Sequence, residues 1–259
     1  MYIDSRRSRQ LMRKVPEITI YFWIIKLLST AFGESTSDYL VYHFNPYVVV
    51  ILGFVGFILV MALQFKARRY IACIYWLAVV AVAIFGTMAA DVTHVALGVP
   101  YIVSTIVFAI VLAIIFVAWQ KCEKTLSIHS INTTRREVFY WLTVLATFAL
   151  GTALGDLSAY TAGLGYLTSG ILFAVVFIIP AIGYYSFKWN AVFAFWLAYI
   201  MTRPLGASFA DWTGKAHSFG GLAWGDGPVG GTLAILIIIF VAYLSFTGKD
   251  IKPSAKAGH

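Results

Sequence analysis

The chain has 259 residues, of which 61% are hydrophobic and only 12% are charged. Soluble proteins carry roughly 25% charged residues, so this composition excludes a soluble globular protein and indicates a membrane protein. A net charge of +8 could suggest a nucleic-acid partner, but sixteen of the nineteen Lys and Arg residues lie in the two terminal tails or in every second loop. That distribution is typical of a polytopic membrane protein, and we expect no nucleic-acid partner.

Eight apolar stretches are long enough to cross about 30 Å of hydrocarbon as helices, which takes roughly 20 residues each. In chain order they are 17–37, 46–65, 70–91, 99–119, 138–156, 166–187, 190–211 and 229–247. Pro46 and Pro100 predict the starts of the second and fourth helices, because proline in the first helical turn leaves no N–H unpaired. We therefore predict an all-α fold with eight transmembrane helices. The basic loops follow helices 2, 4 and 6, which places them and both termini in the cytoplasm.

The same frame occurs four times along the chain: Trp, then Gly ten residues later, then Asp five residues after the Gly. The four copies occupy residues 23–38, 76–91, 141–156 and 196–211. Three residue types at fixed offsets in four places indicate a fourfold internal repeat. Each repeat contains two spans, so all four repeats have the same orientation in the membrane. Parallel repeats predict a pseudo-fourfold or two-plus-two bundle in which equivalent positions face a shared centre.

The repeats also set the predicted domain organisation. Residues 1–16 form a basic cytoplasmic leader, residues 17–247 form a single membrane domain, and residues 248–259 form a cytoplasmic tail. Within the domain, the repeats cover about 17–66, 70–120, 136–188 and 189–247. We interpret the recurring Gly as a point of close contact between helix backbones, and the recurring Trp as an interfacial or packing anchor.

An aspartate closes each repeated frame, and these residues are the first candidates for function. The four are Asp38, Asp91, Asp156 and Asp211. Their position predicts that they lie at the outer ends of helices 1, 3, 5 and 7. One interpretation is a ring of carboxylates that attracts cations to the axis of the bundle. The other is that each Asp hydrogen-bonds the turn that follows its helix.

Apart from the repeated aspartates, charged residues occur inside the predicted spans only in the first and last repeats. Counting back from Asp38 in steps of four residues follows one face of helix 1 and meets Glu34 and then, two steps further, Lys26. On helix 7 the same count from Asp211 meets Arg203. If the repeats close into a ring, Glu34 can pair with Arg203 or with Lys26, as a charge relay or as a structural salt bridge.

Three histidines follow the repeated aspartates on the outer side and are candidate metal ligands. They are His43, His94 and His217. Carboxylates together with imidazoles suit divalent metals such as Mn, Fe, Zn or Ni, although a histidine in a loop is commonly just solvated. The chain contains no HExxH, Walker or GxSxG motif. We therefore expect no enzymatic activity and no bound cofactor.

The four segments that end in the repeated Asp carry a resemblance to a known family. They read AFGESTSD, IFGTMAAD, ALGTALGD and PLGASFAD. The chain resembles a bacterial family of integral membrane proteins that is catalogued as a repeat of unknown function and often labelled "membrane-anchored protein". The resemblance covers about residues 17–247. It implies a four-repeat protein of the bacterial inner membrane, and it implies no substrate.

The residues lead to one leading hypothesis and two alternatives. We expect a transporter or exporter of small cations, with divalent metal ions first, that uses the outer aspartates and Glu34. One alternative is a proton-coupled transporter of a small organic solute in which Lys26, Glu34 and Arg203 form the relay and the substrate clamp. The other is a structural or regulatory membrane protein that transports nothing. The expected partners are membrane lipid and the transported cation or solute, and homo-oligomerisation stays open.

Overall fold

The computed structural model describes residues 13–251, and all regular secondary structure in that range is helical. The eight long helices are α1 (Ile20–His43), α2 (Pro46–Lys66), α3 (Ala72–Asp91), α4 (Tyr101–Glu123), α5 (Thr134–Asp156), α6 (Gly165–Phe187), α7 (Ala191–Gly214) and α8 (Asp226–Thr247). The prediction of an all-α chain with eight helices is confirmed.

The helices begin where the sequence offers a cap. At the start of α2, the side chain of Asn45 accepts hydrogen bonds from the backbone N–H groups of the second and third helical residues, and Pro46 occupies the first position. Asn190 caps α7 in the same way. The predicted start at Pro46 is therefore confirmed, and α4 begins directly after Pro100, which serves as its N-cap residue.

The helices α3 and α5 end at the repeated aspartate, as predicted, whereas α1 and α7 continue past it, and for those two helices the predicted end was wrong. α1 continues beyond Asp38 to His43, and α7 continues beyond Asp211 to Gly214. After α3 and α5 the chain continues as single π-helical turns, Val92–Ala96 and Leu157–Thr161. Aspartate does not break a helix, and the chain leaves the helical path only at the Gly and Pro residues further on. Each aspartate therefore lies about one turn inside its helical segment.

The four odd-numbered helices form a closed inner ring. α1 packs against α3 and α7, and α5 also packs against α3 and α7, so the contacts run around the ring without a gap. Each outer helix packs mainly on the inner helix that follows it in the chain: α2 on α3, α4 on α5, and α6 on α7. α8 closes the cycle by packing on α1. This cyclic pattern of contacts corresponds to the pseudo-fourfold form of the predicted bundle.

Burial separates inner from outer helices. In their most hydrophobic 18-residue windows, α3, α5 and α7 have 56–67% of residues buried, whereas the four outer helices have only 17–28%. Seven of the eight helices are long and apolar enough to cross a membrane. α1 is as long, but it carries Lys26, Glu34 and Asp38 and several hydroxyl groups, which lower its hydropathy. The protein is a multi-pass membrane protein whose polar residues are concentrated inside the ring.

The repeated glycines lie at the four contacts between inner helices. A Cβ atom added at any of these glycines would collide with a residue of the next inner helix around the ring. In every case that residue lies eight positions before the repeated Asp of its own helix. The partners are Ala83 for Gly33, Phe148 for Gly86, Arg203 for Gly151 and Thr30 for Gly206, at 2.6, 2.8, 2.4 and 2.0 Å. The structure thus shows the close approach of helices that the sequence predicted.

The two ends of the bundle differ, and we call them the Asp end, where the repeated aspartates lie, and the basic end, where the described chain begins and finishes. At the basic end, the segment before α1 crosses the bundle and hydrogen-bonds to the loops after α2 and α4 and to Asp250. Lys14 Nζ donates to Glu137 Oε2 at 2.5 Å, and Gln64 donates to the other oxygen of Glu137 at 2.9 Å. Glu137 is fully buried, and its role was not predicted.

Candidate functional site

Equivalent residues of the four inner helices form five layers of side chains along the axis of the ring. The repeated aspartates form the first layer, and each further layer contains the residues four positions earlier on each helix. Below the four aspartates, each layer takes one residue from each inner helix. The layers are Glu34, Thr87, Thr152 and Ala207; then Thr30, Ala83, Phe148 and Arg203; then Lys26, Val79, Val144 and Tyr199; then Phe22, Tyr75, Tyr140 and Phe195. All sixteen of these residues are buried. We call the layer with Thr87 and Thr152 the threonine layer and the last the aromatic layer.

Arg203 lies at the centre of the ring and joins all four repeats. Its Nη2 donates to Glu34 Oε2 at 2.5 Å, to Thr87 Oγ1 at 2.6 Å and to Thr152 Oγ1 at 2.7 Å. Each acceptor belongs to the threonine layer and comes from a different one of the other three repeats. The predicted pairing of Glu34 with Arg203 is confirmed, and both side chains are almost fully buried.

Lys26 is buried deeper and does not pair with Glu34. Its Nζ lies 4.0 Å from the centroid of the Phe148 ring and 4.3 Å from that of Tyr199. Among residues 13–251, neither this amine nor Nε and Nη1 of Arg203 has a hydrogen-bond partner. Two basic side chains therefore lie on the axis with most of their N–H groups unpaired.

Three carboxylates meet at the Asp end of the ring. One oxygen each from Glu34, Asp38 and Asp211 lies within 4.8 Å of the others, and we call these three residues the acidic cluster. They come from neighbouring helices, α1 and α7, which the ring closure brings together. Carboxylate oxygens grouped at this spacing can ligate a small cation.

Lys215, just after α7, neutralises part of this end. Its Nζ forms an ion pair with Asp38 and lies 3.9 Å from Asp211 and 3.6 Å from Asp226. Burial lowers the pKa of the Lys215 amine, but the neighbouring carboxylates of Asp38 and Asp211 outweigh this, so the pKa ends above its usual range. Lys215 is therefore a charged, tethered cation among three carboxylates.

Asp91 and Asp156 complete the ring of aspartates on the opposite helices. Both lie within electrostatic range of Glu34 and of each other. Ser37 donates to Asp91 at 3.5 Å, whereas Asp156 makes neither a hydrogen bond nor an ion pair with another described residue. Within the described chain, no side-chain carboxylate of the four repeated aspartates accepts a hydrogen bond from a following backbone N–H. Their placement therefore does not match the turn-capping interpretation.

The three candidate histidines lie apart from the acidic cluster. Each uses Nδ1 to donate to a backbone carbonyl close to it in the chain: His43 to Tyr39, His94 to Val99 and His217 to Gly221, at 2.8–3.0 Å. His94 also contacts Ser104 Oγ through Nε2 at 3.3 Å. The structure thus brings the carboxylates together but not the imidazoles.

The aromatic layer closes the axis toward the basic end. Tyr75 and Tyr140 are joined by a hydrogen bond between their hydroxyl groups, and Tyr75 also packs on Trp141 with ring centroids 5.6 Å apart. Trp76 and Trp196, from two of the repeated frames, are buried in the same core. These tryptophans pack the core, as one of the two interpretations of the sequence expected.

The repeat architecture matches a known family. The family model described as "Repeat of Unknown Function (DUF347)" matches four stretches, 21–70, 74–125, 139–189 and 194–250. The chain belongs to the DUF347 repeat family. Each DUF347 stretch contains one inner helix with its aspartate and the outer helix that follows. Searches of curated proteins and of solved structures found no match. The resemblance seen in the sequence is confirmed, and the functional argument rests on the site itself.

Three features of this DUF347 site were not recognised in the sequence. Lys215 is the one basic residue of the predicted outer loops, but it lies outside the repeated frames, so the repeat gave it no partner. Asp226 lies at the start of α8, where no repeat position marks it. Thr87 and Thr152 occupy the position equivalent to Glu34, four residues before the repeated Asp, but the sequence gave their hydroxyl groups no role.

Proposed function

We propose that the protein transports small cations, with divalent metal ions as the first candidates, and that the acidic cluster binds them. The observation that carries this proposal is the meeting of one carboxylate oxygen each from Glu34, Asp38 and Asp211 within 4.8 Å of one another at the Asp end of the ring. Oxygen-only ligands of this kind suit Mg²⁺, Ca²⁺ and Mn²⁺ better than metals that prefer nitrogen or sulfur. Without histidine ligands, Mn²⁺ is the first transition metal to test.

The charge balance at the Asp end supports cation entry. Among residues 13–251, the basic residues that pair with the four repeated aspartates, Glu34 and Asp226 are Lys215 and Arg203, two cations against six carboxylates. Acidic groups at the mouth of a pathway concentrate cations there. An entering cation replaces Lys215 at the aspartates, and a second exchange releases Glu34 from Arg203.

The protein is proposed to lie in a bacterial inner membrane with both ends of the chain in the cytoplasm and the Asp end outside. The support is the excess of Lys and Arg in the tails and loops of the basic end. A cysteine introduced at Tyr160 should react with an impermeant thiol reagent in intact cells, and one at Ser127 should not. Labelling of the cysteine at position 127 alone would show that the orientation is the opposite of the proposed one.

Transport itself is tested with the purified full-length protein in liposomes. Uptake of Mn²⁺, Ca²⁺, Zn²⁺, Ni²⁺ and Co²⁺ is followed with a trapped metal-sensitive dye, against liposomes without protein. Glu34→Gln should abolish uptake because it removes the one acidic-cluster carboxylate that also contacts Arg203. Glu123→Gln, which removes a carboxylate paired with arginines at the basic end, is the matched control and should transport normally.

Two results decide against the proposal. One is the absence of uptake for every cation in wild-type liposomes that contain folded protein. The other is equal uptake by wild type and by Glu34→Gln. Asp38→Asn combined with Asp211→Asn should weaken uptake at low cation concentration, since it removes the other two carboxylates of the acidic cluster.

A further inference from the structure

The unpaired donors at the centre of the ring need an explanation that cation transport does not supply. Lys26 is 1% exposed and Arg203 is 0% exposed. Nζ of Lys26 and Nε and Nη1 of Arg203 carry six N–H bonds in total. None of these atoms has an acceptor among the described residues. Buried charged donors without acceptors are strongly unfavourable, so a group with acceptor capacity is expected beside them.

The charges of the enclosed layers do not balance either. Between the threonine layer and the aromatic layer lie two basic side chains, and Glu34 is the one carboxylate that pairs with them. The rings of Phe148 and Tyr199 stabilise the Lys26 ammonium through their faces, but a ring face accepts no conventional hydrogen bond. Arg203 also lies near Phe148, with its Cζ 5.6 Å from the ring centroid. A protonated Lys26 therefore has no counter-charge among the described residues of the axis.

We propose that the axis contains a binding site for one small monovalent anion, held by Lys26 Nζ and by the free Nε and Nη1 of Arg203. A halide or a small carboxylate such as acetate has the required charge and acceptor capacity. The same layer of the ring also contains the buried Val79 and Val144. The site is distinct from the acidic cluster, and it is expected whether or not the protein transports cations.

The test is the thermal stability of the purified full-length protein at constant ionic strength. Sodium gluconate, whose anion is too large for the enclosed layer, is replaced stepwise by sodium bromide or, in a second series, by sodium acetate. A ligand that binds only the folded protein raises the unfolding midpoint with its concentration. We expect a saturable rise of the midpoint with bromide, with acetate or with both, and the series that gives it identifies the halide or the carboxylate as ligand.

Lys26→Met is the variant that locates the effect. Methionine keeps an unbranched side chain of similar length and removes the ammonium, so the response to the anion should fall at least tenfold in apparent affinity. Lys14→Met is the matched control, because Lys14 is also a buried lysine but its ammonium is already paired with Glu137. It should lower stability and leave the anion response unchanged. Glu34→Gln should strengthen the response, because it removes the negative charge that competes for Arg203.

Two outcomes would overturn the proposal. One is an identical midpoint in gluconate, bromide and acetate for the wild-type protein, which would indicate that water alone satisfies the donors. The other is a rise of the midpoint with the anion that is equal in wild type and in Lys26→Met, which would show that the anion binds at a different site. Because the wild-type comparison needs no variant, the test stands even if Lys26→Met does not fold. The response is independent of metal uptake, so a failed transport assay does not affect it.

Discussion

The ion pair between Glu34 and Arg203 is expected to dominate the stability of the inner ring, and a double-mutant cycle measures it. Both side chains are almost fully buried, and the three bonds of Arg203 Nη2 tie one helix to the other three. Removing one member of a buried pair leaves the other charge unpaired, which costs about 3–5 kcal/mol. Removing both leaves no unpaired charge at this position.

Glu34→Ala and Arg203→Ala should therefore each lower the free energy of unfolding by about 3–5 kcal/mol, and the double variant should be less damaged than Arg203→Ala alone. A double variant that is less damaged than Arg203→Ala implies a coupling energy larger than the whole cost of Glu34→Ala, so the coupling energy should be at least about 3–5 kcal/mol. Unfolding in SDS from mixed micelles, followed by the fluorescence of the eight tryptophans, gives each free energy. Arg203→Ala should be milder than Glu34→Ala, because a carboxyl can take up a proton whereas a guanidinium cannot lose one.

The pair Arg135 and Glu123 is the control for this cycle. Its atoms are 3.0 Å apart, but the Arg135 side chain is 63% exposed. Solvent screens such a pair, so its coupling should be only about 0–1 kcal/mol. If the alanine changes at Glu34 and Arg203 were additive, the pair would not be coupled in the folded protein. The central role given to Arg203 would then be wrong.

Three further predictions concern packing, the Asp end and pH. Gly206→Ala should prevent folding, because the added Cβ would lie 2.0 Å from Thr30 Oγ1. Gly56→Ala is the control: its added Cβ would have no atom within 4 Å, so it should change stability by less than about 0.5 kcal/mol. The yield of folded protein and unfolding in SDS measure both effects. Lys215→Gln should lower the thermal midpoint by leaving three carboxylates uncompensated, and millimolar Mn²⁺ should restore it more than it does for wild type. Burial raises the pKa of Asp250, so its contribution to stability is greatest below about pH 4 and is lost as the pH rises through the folded-state pKa. The thermal unfolding midpoint, measured from pH 4 to 8, should therefore fall less steeply with rising pH in Asp250→Asn than in the wild-type protein.

Periodicity made the helices and their order predictable. Long apolar runs identify spans whatever they pack against, and four identical frames require four equivalent environments. The ends of helices were less predictable, since Asp38 and Asp211 carry no helix-breaking property and the helices run past them. At those positions the tendency of Asp to occur in turns was given too much weight, because an Asp residue alone does not end a helix.

The partner of Glu34 was left open in the sequence, although a distance argument could have decided it. Lys26 lies eight residues before Glu34 on the same helix, about 12 Å along the axis at 1.5 Å per residue. That is too far for a lysine side chain to cover while it packs between Phe148 and Tyr199. Arg203 belongs to the layer directly below Glu34, about 6 Å lower, which an arginine side chain can span.

The contacts of Lys215 and Glu137 were unpredictable for a different reason. Both pair with residues more than a hundred positions away in the chain, Asp38 and Lys14, and neither occupies a position that the repeat reproduces. A repeat predicts only what its copies share. Loop and terminal residues become neighbours through the closure of the whole ring, so their pairing follows from the three-dimensional structure alone.

The ring is nearly symmetric in its backbone contacts but not in its chemistry, and the asymmetry lies at one interface. The repeated glycines make equivalent contacts at all four junctions between inner helices. The charged side chains below the aspartates, however, are Lys26 and Glu34 on α1 and Arg203 on α7, whereas α3 and α5 contribute threonines and apolar groups to the same layers. Pro204 on α7 removes a backbone donor beside Arg203, and Thr30 donates to the carbonyl of Thr202 across the α1 and α7 contact. A displacement of these two helices relative to each other therefore alters the central ion pair and the acidic cluster together, and an equal displacement of α3 against α5 changes neither pairing directly.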